Sequence, residues 1–134
     1  MKLHDTIFLL AGRFLLGLYF ILPGVQKITN YEGMSQYMAK HSVPMIEFLL
    51  PLTILLQILG GIAIIIGFKG KIAAFILAGL TLVISIFMHN FWNLPAGSDV
   101  AHETQNFVKN MAIMAGLLVL AARGCGPWSL DNKK

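Results

Sequence analysis

The sequence has 134 residues, of which 57% are hydrophobic and only 12% charged, against roughly 45–50% and about 25% in an average soluble domain. At this size the surface-to-volume ratio is high, so the shortage of charge argues against a soluble monomer, a disordered chain and a secreted disulfide scaffold alike. The composition is that of a membrane protein. A formal net charge of +4 would point a soluble domain toward nucleic acid. Here the basic residues stand at the ends of apolar runs, where topology demands them, and no nucleic-acid partner is expected. The single Cys125 rules out an internal disulfide, a paired-cysteine redox centre and a cysteine zinc site.

Four segments meet the requirement of about 20 apolar residues for crossing a ~30 Å hydrocarbon core. The first, residues 7 to about 25, is interrupted by Arg13 and carries Pro23 near its far end. Lys2 before it imitates a signal peptide, but no A-x-A pattern follows, so the span is expected to stay in the mature protein. The second, residues 46–67, has Pro51 in its first turns and Gln57 near its centre. The third, residues 72 to about 88, runs on into His89 and Trp92, and the fourth, about 107–122, follows a polar turn at 102–106. Period-two alternation is absent, which argues against a barrel. The reading is all-α: an integral membrane four-helix bundle forming a single domain over 1–134, with helices at about 7–27, 46–67, 72–92 and 104–122.

Four spans put the N-terminus, the second loop and the C-terminus on one side. That side holds Lys2, Lys69, Lys71, Arg123, Lys133 and Lys134, while Lys27 and Lys40, with Lys109 near a helix edge, lie opposite. The excess of basic residues predicts cytoplasmic termini in a bacterial inner (plasma) membrane. Small residues at Ala74 and Ala78, and at Ala112 and Gly116, have the spacing that lets helices approach closely in lipid. They serve packing within the bundle or, alternatively, a homodimer face.

Polar residues inside a span cost several kcal/mol unless paired, hydrated or able to snorkel. The orientation gathers them at one end. His89, Asn90, Trp92 and Asn93 close the third span, and Glu103, Asn106, Lys109 and Asn110 occupy the outer turns of the fourth. Spacings of three, four and seven put Glu103, Asn106 and Asn110 on one stripe with Lys109 beside it, and Thr81, Ser85 and His89 on another. Two helices thus direct polar stripes into the outer half of the bundle, predicting a mixed pocket open to that face. The plainer alternatives are interfacial anchoring for Trp92 and Tyr31, snorkelling for Lys27 and Lys109, and a packing role for His89. Arg13 lies about 9 Å in from Ile7. It snorkels to the surface, bonds to Gln57 or to carbonyls near Pro51, or joins Gln57 in holding a ligand.

The chemistry of these residues narrows the choice. The histidines are not placed to face one another across a haem, and the inward carboxylates of a di-metal site are missing, so neither haem nor metal is expected. The first span lacks the embedded acid of a proton-coupled cation exporter. A quinone fits better: His89 supplies or accepts a proton near neutral pH, and Lys109 stabilises negative charge on a quinone oxygen. Trp92 or Phe91 stacks on the ring, and Arg13, Gln57, Asn90, Glu103, Asn106 and Asn110 complete the polar lining. The chain holds no obvious electron relay, so redox chemistry requires direct transfer within the pocket or a soluble redox partner protein. A noncatalytic membrane adaptor for soluble redox or thiol enzymes, docking at the loop of residues 32–43 or the exposed tail of residues 128–134, is the alternative. A small-solute transporter ranks last, since no inverted repeat is evident.

Five stretches resemble the DoxX family of small four-helix membrane proteins. They are Arg13-Phe-Leu-Leu-Gly-Leu-Tyr-Phe-Ile-Leu-Pro-Gly24-Val-Gln-Lys27-Ile, Gln57-Ile-Leu-Gly-Gly-Ile-Ala-Ile-Ile-Ile-Gly67-Phe, His89-Asn-Phe-Trp-Asn93, Asn106-Phe-Val-Lys-Asn110 and Gly124-Cys-Gly-Pro-Trp-Ser-Leu-Asp131. The resemblance covers essentially the whole chain. It implies a plasma-membrane protein linked to quinone-dependent oxidation of sulfur compounds such as thiosulfate, or to oxidative-stress complexes. Gln57 departs from the family pattern, where many relatives have Glu, which puts a proton-carrying role there in doubt. Cys125 replaces the usual Pro of the tail and is expected to expose a thiol to the cytoplasm.

Overall fold

A computed structural model describes residues 2–88 and 100–132. Five α-helices account for most of them: α1 (Leu3–Thr29), α2 (Tyr31–Lys40), α3 (Ile46–Ile66), α4 (Gly70–Met88) and α5 (Val100–Arg123). All but α2 are long and apolar enough to cross a membrane, so the expected four-span, all-helical architecture is present. Their outward faces carry residues such as Phe8, Leu15, Phe75 and Val119. A helix apolar on every side suits a bundle whose solvent is lipid.

Within the bundle α1 packs along α3 and α4 along α5, with α3 and α4 joining the pairs. The α1–α3 seam is built on glycine. A Cβ at Gly17 would collide with the Ile65 side chain and stand 2.6 Å from the Gly61 carbonyl oxygen, and a Cβ at Gly61 would stand 2.6 Å from the Gly17 carbonyl. Backbone meets backbone there, the close approach that small residues permit in lipid. Of the two predicted small-residue pairs, Ala74 and Ala78 are buried in the core, whereas Ala112 and Gly116 are exposed. The main core joins Phe20, Ile64, Leu77, Leu117 and Leu120 with Cys125, and a second cluster gathers Met38, Leu50 and Met88.

Two expectations need correction. The stretch after the first span is a helix, α2, where a loop was predicted. Tyr31, Met34 and Met38 repeat at helical spacing, and Met34 and Met38 pack into the second cluster. Ten residues are too few to cross the core, which hides the helix from a search for spans. Cys125 is not exposed: only 3% of its surface is accessible, and its sulfur fills the space where Gly70 lacks a side chain. Burial, with Asp131 nearby, raises the thiol pKa against the opposing pull of Arg13. The folded state therefore holds Cys125 neutral, and stability is lost as pH rises above the ordinary thiol value of about 8.5. Alkylation by a maleimide at pH 7.5 is expected to be at least about tenfold slower than for a free thiol. Equal rates in native and unfolded protein would contradict this placement.

Candidate functional site

Arg13 and Gln57 do not meet. Arg13, 2% exposed, donates from Nε to the Ile64 carbonyl at 3.0 Å and from Nη2 to the Ile65 carbonyl at 2.6 Å. Its Nη1 donates to the carbonyls of Cys125 at 2.8 Å and Trp128 at 2.9 Å. Ile64 and Ile65 belong to the last turn of α3, whose carbonyls have no partner further along the helix. A cation at that negative end also suits the helix dipole. Gln57 lies two turns, about 10 Å, back along α3. The Arg13 guanidinium is thus committed to main-chain carbonyls at the end of the bundle where the termini lie. Asp131 completes this arrangement. Its Oδ1 and Oδ2 accept from the Lys69 and Gly70 amides at 2.5 and 2.7 Å, and its own amide donates to the Gly67 carbonyl at 2.8 Å. The tail around Trp128 is therefore folded against the turn between α3 and α4.

The opposite half of the bundle contains a cavity of about 370 Å³, in the half where the polar stripes were expected. Its walls come from the second halves of α1 and α4 and the first half of α3, with Asn110 from α5. Met34, Tyr37 and Met38 of α2, with Val43 and Pro44, also line it. Most of the lining is aliphatic or aromatic, and the polar groups are few. Lys27 Nζ donates to Gln57 Oε1 at 3.1 Å, and the Tyr19 hydroxyl donates to Asn110 Oδ1 at 2.9 Å. An ammonium has no lone pair, so the Lys27 bond fixes the Gln57 amide with its nitrogen turned elsewhere. That nitrogen and the remaining Lys27 protons are donors on residues that line the cavity. Burial, and secondarily Glu103, raises the Tyr37 pKa, so its phenol keeps its proton.

The other predicted site residues divide around this cavity. Gln57 and Asn110 line it. Thr81 lines it too, but its hydroxyl and that of Ser85 donate to the carbonyls of Leu77 and Thr81 one turn back. Glu103 is buried and Asn106 half-buried, whereas Lys109 is exposed, its ammonium 5.8 Å from the centre of the Tyr19 ring. Lys109 thus stands behind Tyr19, outside the cavity wall. His89, Asn90 and Trp92 lie outside the described residues. Sequence reasoning undervalued Lys27, which turns inward instead of snorkelling, and passed over Tyr19 and Tyr37. The period-four step from Tyr19 through Pro23 to Lys27 on one face of α1 is the signal that could have found the first two.

Comparison with known proteins agrees with this architecture. Residues 8–90 match the model of the DoxX family. The chain is 39% identical over 137 residues to "Inner membrane protein YqjF" of Escherichia coli (strain K12), covering 100% of this chain and 99% of that protein. It is 31% identical over 127 residues to "Inner membrane protein YphA" of the same organism, covering 95% and 90% respectively. No solved structure matches the chain. With four helices long and apolar enough to cross a bilayer, the chain belongs to the DoxX family and is an inner-membrane protein.

Proposed function

We propose that the protein is a quinone-linked redox subunit of the inner membrane, receiving electrons from a soluble partner protein. The observation that carries this reading is the cavity: about 370 Å³ of mostly apolar space, with donors from Lys27 and Gln57 gathered at one side. A quinone head needs this combination, an apolar slot for ring and tail and donors for its carbonyl oxygens. A quinone there would supply two-electron, two-proton chemistry, accepting its electrons from the soluble partner. Lys27 and the Gln57 amide nitrogen hold one carbonyl oxygen, and the ammonium stabilises negative charge as it develops. Tyr19, fixed by Asn110, orients the ring from α1, and the positive charge of Lys109 behind it adds to the same field. Met38 of α2 packs with Leu50 and Met88 and adds to the apolar wall. The sequence assigns the proton-transfer role to His89, and the family resemblance extends the reading to sulfur compounds such as thiosulfate or to oxidative-stress defence.

The test is mass spectrometry of quinones retained after gentle extraction into lipid nanodiscs. Wild type is expected to retain quinone, and Lys27→Met to lower the retained fraction about tenfold through loss of a charge-assisted hydrogen bond. Lys109→Ala, whose ammonium lies outside the wall, should cost less than about threefold. Wild-type protein that binds no quinone, while still recruiting a soluble redox enzyme to the membrane, would instead favour the adaptor reading.

A further inference from the structure

The end of the bundle opposite the cavity carries an open groove of about 510 Å³. Lys69, Lys71, Ile72, Arg123, Gly124 and Asp131 contribute to its walls. Three cations against one carboxylate leave a formal charge of +2, and the carboxylate is already committed to two backbone amides. Among the described residues none of the three cations has a carboxylate partner. Two of them also stand where helix physics disfavours them. Lys69 immediately precedes α4 and Lys71 lies in its first turn, next to the positive end of the helix dipole. Asp131 caps the first amides of α4, but among the described residues no carboxylate reaches the three cationic side chains themselves, and charge of this kind calls for an anion.

The groove is also shaped. A Cβ at Gly124 would stand 3.2 Å from Lys71 Cε, so the missing side chain lets the lysine stem lie across the end of α5. Arg123 is the last residue of α5 and also contributes to the groove. Ile72, well exposed, adds an apolar edge at the first turn of a membrane span. Positive charge and apolar surface therefore meet at the depth where headgroups give way to acyl chains.

We propose that this groove binds the phosphate headgroup of an anionic phospholipid. Lys69, Lys71 and Arg123 contact phosphate oxygens, and an acyl chain runs down over Ile72. The formal +2 suits a lipid with two phosphates. The experiment uses the full chain in phosphatidylcholine nanodiscs with or without about 20% cardiolipin, reading lipid retained on the protein by native mass spectrometry. Cardiolipin is expected to be enriched on wild type. Lys69→Gln/Lys71→Gln/Arg123→Gln should lose that enrichment by at least about tenfold, while Lys2→Gln/Lys40→Gln, which removes charge elsewhere, keeps it. Equal enrichment on both variants would overturn the proposal. So would displacement of the lipid by millimolar inorganic phosphate, which would identify a free anion as the ligand. Single substitutions to Gln at each position repeat the measurement should the triple variant fold poorly.

Discussion

Arg13→Met is expected to destabilise the protein by about 3–5 kcal/mol. The guanidinium joins three parts of the chain: α1, the last turn of α3 and the segment after α5. Removing it leaves four carbonyls facing a methionine in a site only 2% accessible. Water cannot replace the lost donors there, so the desolvation of each carbonyl goes uncompensated. Arg13→Lys should recover only part of the loss. A lysine keeps the charge, but one nitrogen cannot reach acceptors spread over a planar fork. Unfolding titrations in mixed micelles measure both variants, and a change below about 0.5 kcal/mol for Arg13→Met would mean that the four bonds contribute nothing net.

Gly17→Leu is expected to cost about 2–4 kcal/mol and to weaken ligand binding at a distance. The added side chain enters a space already held by Ile65 and the Gly61 carbonyl, so α1 and α3 must separate. Those two helices also carry Lys27 and Gln57, whose 3.1 Å bond sits further along the same seam. Separation there lengthens the bond and loosens the donor cluster. A cycle of Gly17→Ala, Gly61→Ala and the double variant isolates the effect. Once one alanine has moved the helices apart, the second costs less, so the double variant should fall short of additivity by about 0.5 kcal/mol or more. Strict additivity would show that the two glycines do not share one contact.

The spans were legible because twenty apolar residues in a row have few other uses, and Arg13 and Gln57 stood out because lipid makes polar groups costly. What each of them bonds to was not legible. Arg13 binds main-chain carbonyls, which every residue offers and which leave no mark in a sequence. Gln57 binds Lys27, thirty residues away on another helix, and depth arguments place both residues without pairing them. A cavity lies in the half to which the polar stripes pointed, with Asn110 on its wall. The stripes did not reveal that the cavity is mainly apolar, because its lining comes from the same Leu, Ile and Met residues that fill any span. Helix α2 escaped because its apolar residues are too few to register as a span, yet it lines one side of the cavity.

The commitments of Arg13 also bear on how the bundle assembles. Two of its acceptors lie 112 and 115 residues further along the chain. A nascent or truncated chain that has made α1 and α3 can satisfy only part of the guanidinium and must leave the rest charged and underpaired near lipid. Completion of the bundle is therefore coupled to arrival of the segment after α5. Chains stopped before Cys125 should persist as loosely associated spans, open to the proteases that clear unfinished membrane proteins.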